Sequence, residues 1–456
     1  MNNNLKTFYL KYKPFIAMSV LTALVLLANF VYETWFIASA FALLFCATSS
    51  FEDNLCYVVF MAVFSGVSPI YASTILSCLL VTVIRYVIDV KNNKKPVFVW
   101  QLVLTASIIV LFSLFSSNVN VEGFFHWGLF VGLLMFSYLA FVYADEINVK
   151  KAFNFLFYAV VSSVILGLFL YLCGLLKTQI YPFDGMYKRL RLFSLNVNHL
   201  AMFCMFGIAY EIQSLVNSHI TQANGFKFFK DKDFWVDAMK IVVFSVVGVM
   251  TLSKAFLLVF AFVLIYFVIC LICRLKLKSL VLIVPAFCLM VIVCVVFKGT
   301  FRTIISRFSI YNEWGTLMSK IFTGRTSIWF EYGKEIFRSF QSLLFGAGLL
   351  SPDLIEKGAH NVLIHLFYRV GIVGVSLLCV LVWLYFKHSK NKIKITLESS
   401  LLFFVYIIFS LEEMIFSDRF FLFLVFSLVI LSKTGVKNNK KIDENFEKKQ
   451  TTANNS

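Results

Sequence analysis

AFLLVFAFVLIYFVICLIC, residues 255–273, is the stretch that decides the fold. It carries no charge, and it is closed by Lys254 on one side and by Arg274, Lys276 and Lys278 on the other. A helix needs about 20 apolar residues to cross the ~30 Å hydrocarbon core of a bilayer, and this run has that length. The run before it, 235–252, is also apolar and follows Lys227, Lys230 and Lys232. Lysine-rich segments mark the cytoplasmic side, so the two runs read as one hairpin whose turn, at 251–254, lies on the opposite face.

The pattern spreads outward to nearly the whole chain. Of 456 residues, 60% are hydrophobic, 54 are phenylalanine and only 14% are charged, a ratio that excludes a water-soluble core. Spans are expected near 14–32, 35–50, 55–70, 71–89, 97–116, 121–143, 152–176 and 199–215. They continue near 235–252, 255–273, 279–297, 362–386, 395–411 and 415–432. The expected fold is therefore all-α, a polytopic integral membrane protein of about 12–14 transmembrane helices, twelve if early pairs are re-entrant. It forms a single transmembrane domain over 1–433 with both termini cytoplasmic. The first run is too long for a signal-peptide core and lacks a small-residue cleavage site, so it reads as a retained span. Lys240, inside the 235–252 run, is expected to snorkel.

The formal charge of +17 follows the same logic. Lysines gather in short loops, at 91–95, 150–151, 227–232, 276–278 and 387–394, and again in the tail. That distribution sets orientation and argues against nucleic-acid binding. The ten cysteines lie within or beside apolar runs and read as packing residues. Cys270 and Cys273 form a CxxC, but inside a hydrocarbon-like run with no second pair. No P-loop, GxSxG or HExxH pattern is present, which argues against a membrane ATPase or zinc protease.

Counting spans puts two loops outside, 177–198 and a large one at 298–361. Seven of the ten arginines (Arg189, Arg191, Arg302, Arg307, Arg325, Arg338 and Arg419) fall on that side. Orientation needs only positive charge, whereas the arginine fork also grips phosphate oxygens at two points. Arg302, Arg307 and Arg338 have Glu313, Glu331, Glu335, Asp353 and Glu356 as ion-pair partners. Arg189 and Arg191 have only Asp184 nearby, which favours a ligand role. Ile328, Trp329, Tyr332, Ile336, Phe337 and Phe340 recur at helical spacing and predict one amphipathic helix in the large loop. Gly346-Ala347-Gly348 breaks the chain after it. The tail, 434–456, is polar and expected to be disordered and cytoplasmic.

Four other charged features stand apart from these. Glu412, Glu413, Asp418 and Arg419 read as a solvated outer turn, and Arg85 with Asp89 as a structural pair. Arg369 sits inside a span, where an ionisable residue is a functional candidate by default; holding a phosphate and pairing with a buried acid both stay open. His365 lies about 140° round the helix from His360 and makes no metal pair with it.

At these residues the chain resembles the O-antigen ligase/O-antigen polymerase superfamily of bacterial inner-membrane proteins. The first likeness is Arg189, followed by Asn196-Val197-Asn198-His199-Leu200-Ala201, with Val197 where proline is usual and no glycine at Leu192. The second is Ser253-Lys254-Ala255 at the hairpin turn. The third is Gly324-Arg325-Thr326-Ser327-Ile328-Trp329, then Gly346-Ala347-Gly348, His360-Asn361 and Gly371-Ile372-Val373-Gly374. The likeness covers 187–375; the first 150 residues share only hydropathy.

The resemblance implies a multi-span, lipid-phosphosugar glycosyltransferase working on the periplasmic face of the inner membrane. Donor and acceptor would be glycans linked to undecaprenyl pyrophosphate, with membrane lipid, a chain-length regulator and a flippase as partners. No cofactor, nucleotide sugar, metal or nucleic acid is implied. Without a metal, fixed cations must stabilise the leaving pyrophosphate, and Arg189, Arg191, Lys254 and Arg325 are the candidates. His360, where loop meets span, is the candidate general base; capping the helix start with Asn361 is its bland alternative. Asn198, Asn361 and Arg369 are further candidates. The expected function is a surface polysaccharide (O-antigen or capsule) polymerase. A ligase acting on lipid A–core is the nearest alternative, and a lipid-linked oligosaccharide flippase or transporter the alternative of another class. The last would call for broken helices and ionisable residues at membrane depth.

Overall fold

The computed structural model describes residues 3–30, 35–116, 119–175, 183–184, 189–194, 196–220, 230–275, 325–351, 354, 359–388 and 397–410. The spans expected at 279–297 and 415–432 lie outside these residues. So do Arg302, Arg307, Gly324, the 412–419 charge cluster, most of the two expected outer loops before Arg325, and the tail 434–456.

Helices form where the apolar runs lie. They are α1 Asn3–Phe30, α2 Trp35–Thr48, α3 Phe51–Val63, α4 Ser68–Lys91 and α5 Val99–Leu114. Next come α6 Val121–Val142, α7 Val149–Leu172, α8 Val197–Ser214, α9 Lys232–Met250 and α10 Lys254–Leu275. The later segments give α11 Arg325–Ile336, α12 Phe340–Phe345, α13 Val362–His388 and α14 Leu397–Ser410. Between α7 and α8, strands β1 Phe183–Asp184 and β2 Arg189–Leu190 pair antiparallel, with Asp184 opposite Arg189. Side-chain caps fix several starts: Ser50 accepts from the Asp53 amide, Asn120 from Gly123 and Asn148 from Lys151.

This is an all-α membrane protein. Among the described residues, five helical stretches are long and apolar enough to cross a bilayer: Ile70–Lys91, Val149–Leu172, Val197–Asn217, Lys254–Cys273 and Val362–Tyr385. Shorter apolar helices lie at Lys13–Leu27, Phe36–Thr48, Val99–Leu114, Phe130–Val142 and Leu401–Ser410. Their exposed faces are what lipid requires. On α4, Leu76, Leu80, Ile84, Val87 and Ile88 form an exposed apolar stripe, as do Leu258, Phe262, Ile265, Ile269 and Ile272 on α10. Continuous apolar stripes of that length are rare on water-facing surfaces.

The chain folds into two compact units. The first takes Met1–Lys95 and Asp145–Ser306. Its centre is α3 and α8, which are apolar nearly all round and therefore enclosed: α3 packs on α4 and α7, and α8 on α9 and α10. Cations close the end of α2, where Lys13 donates to the Thr48 carbonyl and Arg85 to that of Ser49. Arg85 thus serves a helix end, where orphan terminal carbonyls lie within its reach.

The second unit takes Pro96–Ala144 and Arg307–Ser456. Its organising feature is a break in α13 at Gly371, with φ 59° and ψ −169°. Such a break leaves the preceding carbonyls without their i+4 donors, and in a membrane helix these must be satisfied otherwise. The Gly346-Ala347-Gly348 segment supplies the donors: Ala347 N–H bonds the Tyr368 carbonyl at 2.7 Å and Gly348 N–H that of Arg369 at 3.0 Å. The approach is too close for side chains. A Cβ on Gly346 would lie 2.6 Å from the Arg369 carbonyl carbon, and one on Gly371 2.4 Å from that of Leu344. The same segment docks on the end of α5, where Leu349 N–H meets the Phe112 carbonyl, Leu350 N–H meets Ser116 Oγ, and Phe345 stacks on Phe115.

Candidate functional site

In the first unit, the α9–α10 turn and the start of α8 are joined by one side chain. Asn196 caps α8, its Oδ1 accepting from the Asn198 amide. Thr251 and Ser253 shape the turn: Thr251 Oγ1 donates to the Gly248 carbonyl, and Ser253 Oγ accepts from the Phe256 amide. Arg189, at the end of β2, reaches both. Its Nε donates to the Thr251 carbonyl at 3.1 Å and its Nη2 to Asn198 Oδ1 at 3.2 Å. Arg189, Asn198 and the turn carrying Lys254 therefore form one cluster. Lys254 is buried at the first position of α10, while Arg189, Arg191 and Asn198 are half-buried. Arg191 bonds locally instead, Nε to the Ser194 carbonyl.

The loop between Arg191 and Asn196 is built into the core. Ser194 Oγ donates to the Val63 carbonyl and the Gly66 amide to that of Phe193. Leu192, where the resembled family has glycine, is buried with φ 54°, a left-handed conformation that glycine adopts without strain.

In the second unit, Arg325 is the first residue of α11 and is half-buried. Trp329 Nε1 donates to the Ala359 carbonyl at 2.9 Å, tying α11 to the residue before His360. His360 is half-buried and left-handed, φ 46°, outside the helix. Asn361 is the cap of α13: its Oδ1 accepts from the amides of Leu363 and Ile364. Its side chain thus does the work of helix capping, the bland role open at sequence level.

Deeper on α13, His365 and Arg369 are fully buried, and Arg369 Nε approaches His365 Nε2 at 3.4 Å. Tyr332 of α11 meets His365 and Tyr368 edge-on, and the Arg369 guanidinium lies over the Tyr368 ring. The contacts of Arg369 thus include a histidine and an aromatic face. His365 was missed as part of a site; its spacing of four from Arg369, which puts both on one helix face, was the available signal.

The amphipathic helix needs one correction. It ends at Ile336, and Ser339 caps α12 in a new direction, so helical phase is lost between them. Tyr332 and Ile336 are buried, whereas Phe337 and Phe340 are 74% and 75% exposed. Arg338 pairs with Glu335 at 3.4 Å, an ion-pair reading the sequence had offered.

Lys240 needs the other. Instead of snorkelling it turns inward to Glu211 of α8 at 3.1 Å and Asp237 at 3.6 Å. Two acids hidden in apolar runs make an internal partner nearer than the membrane surface. Among the described residues no three His, Cys, Asp or Glu side chains gather as a metal site, and Cys270 and Cys273 form no disulfide.

No family model, curated protein sequence or solved structure matches the chain.

Proposed function

We propose that the chain is a glycosyltransferase of the bacterial inner membrane, with both termini cytoplasmic, that polymerises surface polysaccharide on the periplasmic face. Its place in the O-antigen ligase/O-antigen polymerase superfamily is part of the same proposal. One observation carries it. Arg189 bonds both Asn198 and the Thr251 carbonyl, so the start of α8 and the turn that leads into Ser253-Lys254-Ala255, both singled out by resemblance, meet on one cation.

In this reading the acceptor hydroxyl of a lipid-linked repeat unit attacks the anomeric carbon of the undecaprenyl-pyrophosphate-linked glycan. The bond from that carbon to the pyrophosphate oxygen breaks, and the electron pair leaves with the lipid pyrophosphate. The hydroxyl proton goes to a general base, for which the sequence offers His360. Arg189, Arg191 and Lys254 balance the charge on the leaving group, and Arg325 is a further sequence candidate for the same work. A guanidinium already held by two bonds needs little reorganisation as that charge develops, and losing one such donor costs about 10²–10³ in rate.

Two observations favour a second reading, a lipid-linked oligosaccharide transporter. Its hallmarks are a broken span and ionisable groups at membrane depth, and α13 is broken at Gly371 while Lys240, Glu211 and Asp237 are buried.

The test is complementation of a strain lacking the gene with wild type, Arg189→Ala, Arg325→Ala and His360→Ala at matched membrane abundance, the surface glycan being resolved by length. The expected result is a ladder with wild type and a single repeat with each variant. Full-length polymer stranded on undecaprenyl pyrophosphate in the null strain would identify a ligase. Full ladders from all three variants would sink the enzyme reading and leave the transporter.

A further inference from the structure

The contacts of α11 and α12 descend along α13 in chain order. Trp329 bonds the Ala359 carbonyl, just before the span Val362–Tyr385 begins. Tyr332 meets His365 and Tyr368 inside the span, with ring centroids 6.4 and 5.0 Å apart. The end of α12 reaches Gly371, where an added Cβ would lie 2.4 Å from the Leu344 carbonyl carbon and 2.6 Å from the Phe345 amide nitrogen. From Val362 to Gly371 a helix rises about 13 Å at ~1.5 Å per residue, close to one leaflet of a ~30 Å hydrocarbon core. A helix that merely lies on the interface sinks about 5–10 Å, so the end of α12 goes deeper. The chain then leaves through Gly346-Ala347-Gly348, whose amides bond α13, and through Leu349, whose amide bonds α5. Irregular backbone at membrane depth requires such partners.

Three phenylalanines of this element are left exposed. Phe330 is 65% exposed, and Phe337 and Phe340 are more so. In chain order they fall between the contacts at Ala359 and Gly371, so the medium they meet is the one that surrounds a span. Ile372 and Val380 of α13 are exposed in the same way. The charges nearby do not call for an anionic headgroup, because Lys334 pairs with Glu331 at 3.0 Å and Arg338 with Glu335 at 3.4 Å. The Lys334 ammonium also lies 4.7 Å from the centre of the Phe330 ring. Long stems let such heads rise to the headgroups while the rings stay among the chains.

We propose that α11 and α12 form a re-entrant pair sunk in the leaflet at the N-terminal end of α13, with Phe330, Phe337 and Phe340 against lipid acyl chains. The proposal rests on the membrane fold and not on the glycosyltransferase reading.

Carbene footprinting of the full-length wild type in phosphatidylcholine nanodiscs tests it. The carbene precursor is carried either in mid-chain on the lipid or on a water-soluble reagent, and Ile372 and Val380 serve as internal standards for lipid contact. The lipid-borne probe should label Phe330, Phe337 and Phe340 at yields matching those standards, and the water-soluble one should spare them. Labelling from water alone would overturn the proposal, the face then being that of a solvated loop. Labelling by neither probe would overturn it as well. Cross-linking between copies would then identify a second copy of the chain as the cover, and its absence the protein's own chain.

Discussion

In Gly371→Ala the new methyl would sit 2.4 Å from both the carbonyl carbon and oxygen of Leu344, on a residue with φ 59° and ψ −169°. That backbone region is essentially reserved for glycine, and a side chain there costs about 1–3 kcal/mol. The contact adds a second cost, which the chain can meet in two ways. It can hold the Gly346-Ala347-Gly348 segment in place and accept overpacking of about 1–3 kcal/mol. Or it can let the segment retreat and lose the bonds to the Tyr368 and Arg369 carbonyls, about 0.5–1.5 kcal/mol each. The two routes cost about the same, so the expected destabilisation is about 2–6 kcal/mol. Gly346→Ala, with φ 71° and a Cβ 2.6 Å from the Arg369 carbonyl carbon, should match it. Gly333→Ala is the control: a Cβ there meets nothing within 4 Å, and an alanine inside α11 gains up to about 1 kcal/mol. Equilibrium unfolding of the full-length protein in mixed micelles, followed by circular dichroism, reads all three. If Gly371→Ala unfolds with Gly333→Ala, the clasp is not holding the broken helix and the argument fails.

Substitutions at four further positions separate roles that the sequence left merged. Asn361→Ala should cost about 1 kcal/mol as a lost cap, while Asn361→Asp, which keeps the acceptor, should retain both stability and glycan product; loss of product in the Asp variant alone would point to chemistry instead. Arg189→Lys cannot serve the Thr251 carbonyl and Asn198 Oδ1 together, and losing those charge-assisted bonds should cost about 1.5–3 kcal/mol. Hydrogen exchange should then speed up at 196–200 and 250–254, and unchanged exchange would count against the clamp. Lys240→Met breaks a buried charge cluster and should cost about 3–5 kcal/mol, whereas Lys334→Met, on an exposed i,i+3 pair with Glu331, should stay within about 0.5 kcal/mol. Equal unfolding midpoints for the two would refute the burial argument.

The helices were legible because a bilayer imposes length on any apolar run, so 255–273 announces α10 without reference to the rest of the fold. The meeting of Arg189 with Asn198 and the Thr251 turn was legible only as shared sidedness, since nothing local encodes a bond across 62 residues. What went unread has two physical causes. A buried charge reads alike whether it snorkels or pairs, and Lys240 pairs because Glu211 and Asp237 come from positions that hydropathy scores merely as tolerated exceptions. Helical phase also holds only while the helix lasts, so the break after Ile336 sent Phe337 and Phe340 outward, where an unbroken period had put them beside Tyr332.

The clasp on α13 has a consequence for descent. Gly346 and Gly371 meet the opposing backbone where the segment crosses α13, and the next glycine, Gly348, is pressed against the Cα of Ser116 at the end of α5. No one of these positions can acquire a larger residue while the others keep the crossing tight. They should therefore be inherited as a block and, where lost, lost together with the break in the span. A distant relative with a continuous helix at this place should show ordinary residues at all three glycine positions and a larger one at 116.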